Sequence, residues 1–197
     1  MKDTYTYQIG DNLYINLTNR CTNRCTFCVR EGKETYEGHA LWLKAGEPTA
    51  EQVIGEIGDP TRYREIVFCG FGEPTYRLEE MLAVCDYVHA HGGRTRLNTN
   101  AHGSLIHGYD IAPRLKGKLD GVNISLNAPE KGAYDALCRP QVKEAFEGML
   151  AFARACKESG VNCWFSVVDC IGEKAVEDCR KLSETVGIPL RVREMIK

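Results

Sequence analysis

The sequence predicts an α/β fold on a mostly parallel sheet, an open partial barrel of six βα units, and three observations predict it. Strand-length apolar runs alternate with helix-period segments along the chain. The six units occupy 197 residues, too few for a closed eight-stranded barrel of about 250 residues. Several strand segments carry one polar face, whereas a parallel sheet covered on both sides reads as nearly continuous hydrophobics. A flat doubly wound sheet shares the alternation and stays open on pattern alone. The polar faces favour a barrel lumen holding a polar ligand, with a solvated sheet face as the plain alternative.

The strand segments are 13–18 (LYINLT), 65–69 (EIVFC), 94–99 (RTRLNT), 121–127 (GVNISLN), 161–168 (VNCWFSVV) and 189–194 (PLRVRE). In the fourth, Val122, Ile124 and Leu126 alternate with Asn123, Ser125 and Asn127. Arg94, Arg96 and Asn98 share a face in the third, and Arg191 and Arg193 in the sixth. Helices are predicted near 49–58, 77–91, 107–116, 141–159 and 173–186. The first carries a start pattern in Pro48, Thr49 and Gln52, the spacing of a capping box. Before the first βα unit, TYTYQIGDNLYINL reads as two strands around Gly10-Asp11-Asn12, which predicts an extra antiparallel strand.

Length and continuity predict one domain over 1–197, with 1–12 as a strand-and-turn extension and 19–47 as a long loop. A net charge of −2 and a pI near 6.2 give no electrostatic footprint for nucleic acid. The start lacks the apolar core of a signal peptide, and no run reaches the 18 or more apolar residues of a membrane span. The expectation is a cytoplasmic protein without a membrane partner. In a reducing compartment, ten cysteines point to metal or redox chemistry before disulfides.

Three of those cysteines stand together. Cys21, Cys25 and Cys28 directly follow the first strand segment, at spacings of four and three. One loop can wrap three thiolates around a single iron–sulfur cluster, leaving the fourth iron open to an exogenous group. Fully ligated electron-transfer clusters take four cysteines, and an open metal position signals catalysis. Zinc is the competing reading, with His39 as its nearest fourth ligand, although His39 lacks finger-like spacing. A second element follows the second strand: Cys69-Gly70-Phe71-Gly72-Glu73-Pro74. Its glycines permit close backbone approach, and a carboxylate at a strand's end accepts hydrogen bonds from a ligand ammonium. A second Gly-Glu-Pro, at 46–48, follows no strand and reads as a helix-start turn.

The pairing of C-x3-C-x2-C after strand one with Gly-Glu-Pro after strand two resembles the radical S-adenosylmethionine (SAM) superfamily. The phrases FCGFGEPTYR, RLNTNAHG, NISLNAPE, YDALCRP and RVRE are similar to the TatD-associated radical SAM proteins. The resemblance implies a partial (β/α)6 TIM-like barrel with a [4Fe-4S] cluster at its carboxyl-end mouth. Cys21, Cys25 and Cys28 would each bind one iron, and SAM would chelate the fourth. Phe27 matches the aromatic beside the adenine, and Val168 the apolar contact from the fifth strand. Glu73 would accept from the SAM ammonium, with Gly72 giving backbone access. Asn98, Ser125 and Asn127 match positions holding the ribose or carboxylate. The usual motif is Gly-Gly-Glu-Pro, and here Phe71 takes the first glycine, which puts the local backbone path in question. The resemblance also implies an external one-electron donor of flavodoxin or ferredoxin type, and a 5′-deoxyadenosyl radical that abstracts hydrogen from a substrate.

The substrate itself has no recognisable element. Cys138 after the fourth strand is a candidate to donate a hydrogen atom or contact substrate, with packing as the alternative; Arg139, Arg191 and Arg193 are candidates to receive an anionic substrate group, with scaffold salt bridges as theirs. The 29–47 loop carries Arg30, Lys33, Tyr36, His39 and Trp42 and reads as a lid or as a surface loop. No domain follows the sixth strand in this sequence, so a protein, peptide or subunit partner is expected to close the barrel's side. Three functions therefore stand: a radical enzyme on a protein or peptide, one on a small nucleotide-like molecule, and a non-catalytic zinc or iron–sulfur module.

Overall fold

The computed structural model describes residues 3–30 and 32–194. Two compact units emerge, each interrupted in sequence: one of residues 1–21, 29–98 and 117–121, the other of 22–28, 99–116 and 122–197.

In the first unit, β1 (Thr6–Ile9) and β2 (Asn12–Ile15) form the expected antiparallel hairpin, with Ile9 opposite Asn12 across a two-residue turn. A small hairpin of β3 (Thr35–Tyr36) and β4 (His39–Ala40) follows. Next come α1 (Ala50–Ile57), β5 (Ile66–Phe68), α2 (Leu78–Ala90) and β6 (Thr95–Thr99). β2, β5 and β6 pair in parallel, which is the predicted βα progression. Ile15, Ile66, Val67, Phe68 and Leu97 are fully buried and form the core of this sheet. The capping box of α1 closes as expected, with the Thr49 amide donating to Gln52 (2.9 Å) and the Gln52 amide to Thr49 (3.3 Å).

The second unit contains α3 (Gly103–His107), α4 (Ala112–Leu115), β7 (Gly121–Ser125), α5 (Lys131–Cys138), α6 (Ala145–Glu158), β8 (Cys163–Val168), α7 (Glu173–Val186) and β9 (Leu190–Arg193). β7, β8 and β9 are again parallel. Val122, Ile124, Phe165 and Val167 bury one face of this sheet.

The β3–β4 hairpin lies in a segment expected to be a loop, and three helical segments also depart from expectation. The predicted helix 107–116 is not one helix: α3 lies before it and ends at His107, where Gly108 takes a left-handed conformation (φ +73°) and caps it, and only α4 falls inside the range. α5 was not anticipated: its eight residues bury only Tyr134 and Cys138, too short a stripe to show as periodicity. α6 starts four residues later than predicted, after Glu144 in a left-handed conformation. No helix among the described residues is long and apolar enough to cross a membrane.

Candidate functional site

Strand β2 delivers the chain into residues 16–21, which asparagines and an arginine hold in place. The buried Asn16 amide donates to the carbonyls of Thr4 (3.1 Å) and Leu41 (2.8 Å). Asn19 donates to Leu43 O (2.9 Å) and accepts from Leu43 N (3.0 Å), mimicking a backbone strand partner. Arg30 donates to Asn19 O (2.8 Å) and Phe71 O (2.9 Å). With Leu41 and Leu43 buried, the 29–47 segment is tied to the entry of the cysteine segment at several points.

The turn copy of Gly-Glu-Pro does more than start a helix. The Glu47 carboxylate accepts from Arg20 Nε (2.8 Å) and Nη2 (2.9 Å), from Arg77 Nη1 (2.8 Å), and from the Thr18 hydroxyl. Burial alone would raise its pKa; hydrogen bonds from Arg20, Thr18 and Arg77 outweigh that and hold it below the usual carboxylate value. Glu47 thus links the residues just before Cys21 to Arg77, three residues beyond Pro74. Sequence reading missed this, because nothing local marks partners 27 to 30 positions away.

Phe71 explains the departure from Gly-Gly-Glu-Pro. It is buried with Tyr7 and Leu41, and Ile9, Tyr14, Val29 and Tyr36 pack around them, so an aromatic anchors the loop. Gly72 has a steric reason: a Cβ there would lie 2.2 Å from Thr18 O and 2.6 Å from Arg20 O. The Glu73 amide donates to Arg20 O (2.7 Å), which fixes that close approach. The Glu73 side chain is almost fully buried, and its Oε1 accepts from Thr75 N (3.1 Å) and Thr75 Oγ1 (2.8 Å), orienting the carboxylate. Further along, half-buried Asn98 accepts from Arg96 (2.6 Å), which also pairs with Glu65 at 2.8 Å.

Cys21 is half-buried at the end of the first unit's entry segment, and Cys25 and Cys28 are half-buried in the second unit's segment 22–28. Phe27 between them is also half-buried. The backbone of this segment lies on the end of α5: Arg24 N donates to Cys138 O (3.0 Å), Thr26 N to Leu137 O (2.9 Å), and Gln141 N to Thr22 O (2.7 Å). Beneath it runs a buried polar network. Asn100 donates to Thr22 Oγ1 (2.7 Å), which bonds His102 Nδ1 (2.8 Å). His102 Nε2 faces the carbonyl of Ala145 (3.1 Å) and the hydroxyl of Tyr134 (3.1 Å), and Asn23 donates to that hydroxyl (3.2 Å). A carbonyl only accepts, so the proton sits on Nε2, and Nδ1 accepts from Thr22.

Burial lowers the His102 pKa to about 4, so the ring is neutral at physiological pH. The unfolded chain takes up this proton near pH 6.5 and the folded protein does not. Stability is therefore full above about pH 6.5 and declines as pH falls toward 4, by on the order of 3 kcal/mol. Denaturant unfolding between pH 7.5 and 4 should show this slope, and His102→Gln should flatten it. An equal slope in that variant would rule His102 out as its source.

Beside the segment lies a cavity of about 320 Å³ lined by Thr26, Asn127, Ala128, Pro129, Leu137 and Ile171, together with three alanines. Asn127 is buried in a left-handed conformation (φ +60°), donates to Cys138 Sγ (3.3 Å), and its Oδ1 has no partner among the described residues. Cys138 is fully buried at the end of α5, where it orients that amide. Ser125 and Val168 sit at the ends of β7 and β8, and Val168 pairs in register with Arg193 of β9. Arg139 adopts a left-handed conformation and lines a separate concavity of about 550 Å³ with Lys131, Asp135 and Lys143. The structure thus puts Asn127 with the cysteine segment and Arg193 with Val168, and sets Arg139 apart.

No cysteine forms a disulfide. Burial raises the thiols of Cys85, Cys156 and Cys179, the last to about 12, so these three are core thiols. Among the described residues no three His, Cys, Asp or Glu side chains converge on a single ion. A four-iron cluster asks for no such convergence, since each thiolate binds its own iron.

The family described as the Radical SAM superfamily matches residues 15–180. A curated relative named GTP 3′,8-cyclase, from Streptomyces coelicolor, is 28% identical over 157 residues, 78% of this chain and 43% of the relative. A probable GTP 3′,8-cyclase from Thermococcus kodakarensis is 32% identical over 126 residues, 62% of this chain and 37% of the relative. The chain spans about two fifths of the length of these relatives. Among solved structures, anSMEcpe with bound AdoMet and the Cp18Cys peptide has a TM-score of 0.70 at 18% identity, covering 94% of this chain and 51% of that one. Streptococcus suis SuiB bound to its precursor peptide SuiA has a TM-score of 0.69 at 15% identity, covering 94% and 39%. These likenesses show the fold, the α/β partial barrel that the sequence predicts.

Proposed function

This chain belongs to the radical SAM superfamily, and from that premise we propose that it cleaves SAM reductively and abstracts hydrogen from a small-molecule substrate. The observation that carries the reading is the cysteine segment, pinned by its backbone on α5 beside a cavity lined by buried Asn127, whose Oδ1 has no partner among the described residues.

When bound, the [4Fe-4S] cluster and SAM together supply a one-electron cleavage that yields a 5′-deoxyadenosyl radical. Cys21, Cys25 and Cys28 would hold three irons of the cluster, a reading the family match supports over zinc. Glu73 accepts from the SAM ammonium, its carboxylate oriented by Thr75. Gly72 lets the Glu73 loop lie against the chain entering Cys21. Asn127 Oδ1 accepts from a ribose hydroxyl, and Phe27 and Val168 pack on the adenine. Asn98 and Ser125 complete the polar contacts. The mostly apolar lining around Asn127 would disfavour water beside a bound cofactor. The electron comes from an external donor of flavodoxin or ferredoxin type.

The small-molecule substrate is favoured by the curated relatives named GTP 3′,8-cyclase, whereas the peptide-bound structures bear on fold alone. The finer placement among TatD-associated proteins rests on the quoted phrases. Anaerobic reconstitution with iron and sulfide should give a four-iron spectrum, and dithionite with SAM should then yield 5′-deoxyadenosine and methionine. A protein that binds only zinc, or takes up the cluster without cleaving SAM, would overturn the reading.

A further inference from the structure

Strand register sorts the side chains of β7, β8 and β9 onto two faces. Asn123 pairs with Trp164, Ser125 with Ser166, Ser166 with Arg191, and Val168 with Arg193. In-register neighbours in a parallel sheet project to the same side, and residues two apart on one strand share it. One face therefore carries Asn123, Ser125, Trp164, Ser166, Val168, Arg191 and Arg193; the other buries Val122, Ile124, Phe165 and Val167 in the core.

The polar face is incompletely satisfied. Ser166 is wholly buried and its Oγ has no hydrogen-bond partner among the described residues; Asn123 is 4% exposed and its Oδ1 is likewise unpartnered. Two such groups on adjacent strands each carry a desolvation cost unless something binds them. Beside them, the Arg191 guanidinium lies 4.0 Å from the centre of the Trp164 ring. No carboxylate pairs with Arg191 or Arg193 among the described residues, although other arginines of this chain, Arg20, Arg77 and Arg96, are paired. Arg191 is thus a cation held over a ring, next to buried groups that want a polar partner.

We propose that this face of β7–β9 recognises a small molecule bearing an oxyanion, phosphate or carboxylate, and a hydroxyl or amino donor. The oxyanion meets Arg191, with Arg193 on the same side. The donor group bonds Asn123 Oδ1, and Ser166 bridges the two. Ser166 is the register partner of Ser125, so the recognised molecule lies next to the position assigned to SAM. The inference deepens the proposed function and rests on it for the identity of the bound molecule as substrate.

The test is calorimetric titration of the reconstituted enzyme at low salt with inorganic pyrophosphate and, separately, with malate. Binding of one probe and not the other tells phosphate from carboxylate. Arg191→Gln should weaken the preferred probe at least tenfold, and Ser166→Ala several-fold. Arg191→Lys should recover part of the loss, since the charge remains without the planar stack. Arg180→Gln, an exposed arginine of α7, should change nothing. Failure of both probes to bind, or equal weakening by Arg180→Gln and Arg191→Gln, would overturn the proposal. SAM cleavage to 5′-deoxyadenosine, followed in the same preparation without added probe, reports separately on the radical SAM reading.

Discussion

Cys25→Ala is expected to abolish cluster content and 5′-deoxyadenosine formation while leaving the fold in place. The segment around Cys25 is held through its backbone, by Arg24 N on Cys138 O (3.0 Å) and Thr26 N on Leu137 O (2.9 Å), and neither bond involves the thiol. Removing a half-buried thiol here costs little packing, so the melting transition of the protein without its cluster should move by a degree or two at most. Two thiolates do not retain a cluster that three hold with one iron open. Iron and sulfide analysis, the charge-transfer absorbance and the deoxyadenosine assay should all fall to background. Cys170→Ala, at an exposed thiol, should match the wild type in each. A Cys25→Ala protein with a full four-iron spectrum would sink the ligand assignment.

Gly72→Ala is expected to destabilise the protein by on the order of 3 kcal/mol or to prevent folding. The new methyl would stand 2.2 Å from Thr18 O and 2.6 Å from Arg20 O, both backbone atoms that cannot swing aside. Backing away would break the 2.7 Å bond from Glu73 N to Arg20 O and shift the chain that enters Cys21. Gly132→Ala in α5 makes the contrast. No atom lies within 4 Å of its added Cβ, and alanine is favoured over glycine in a helix, by about 1 kcal/mol in the interior and less in the first turn, where Gly132 lies. Denaturant unfolding of the two variants should therefore move in opposite directions. A Gly72→Ala protein as stable as the wild type would show that residues 18–20 and 72 do not pack as described.

Much of this was legible because it is local. The βα alternation survives in the structure because each strand and helix is written in a few consecutive residues. Helix α7 spans Glu173–Val186, the predicted range, since its amphipathic period runs between two glycines, Gly172 and Gly187. Helix α5 and the break after His107 were not legible: one has only two buried positions, and the other turns on the conformation of Gly108. At the site, Phe71 stood out as a departure, but its place in a cluster with Tyr7 and Leu41 depends on residues far along the chain.

The sequence by itself carried the family signature. Spacings of four and three residues between thiols, and a Gly-Glu-Pro at a strand end, are short-range facts that survive without coordinates. Only the tertiary structure decided what holds those residues in place. Thr22 and His102 lie 80 positions apart, and Asn23 and Tyr134 lie 111 apart. The buried Ser166 and the Trp164-stacked Arg191 became visible only once strand register had set their shared face. A buried polar group takes its partner from whichever strand or helix the fold brings beside it, and no local pattern records that choice.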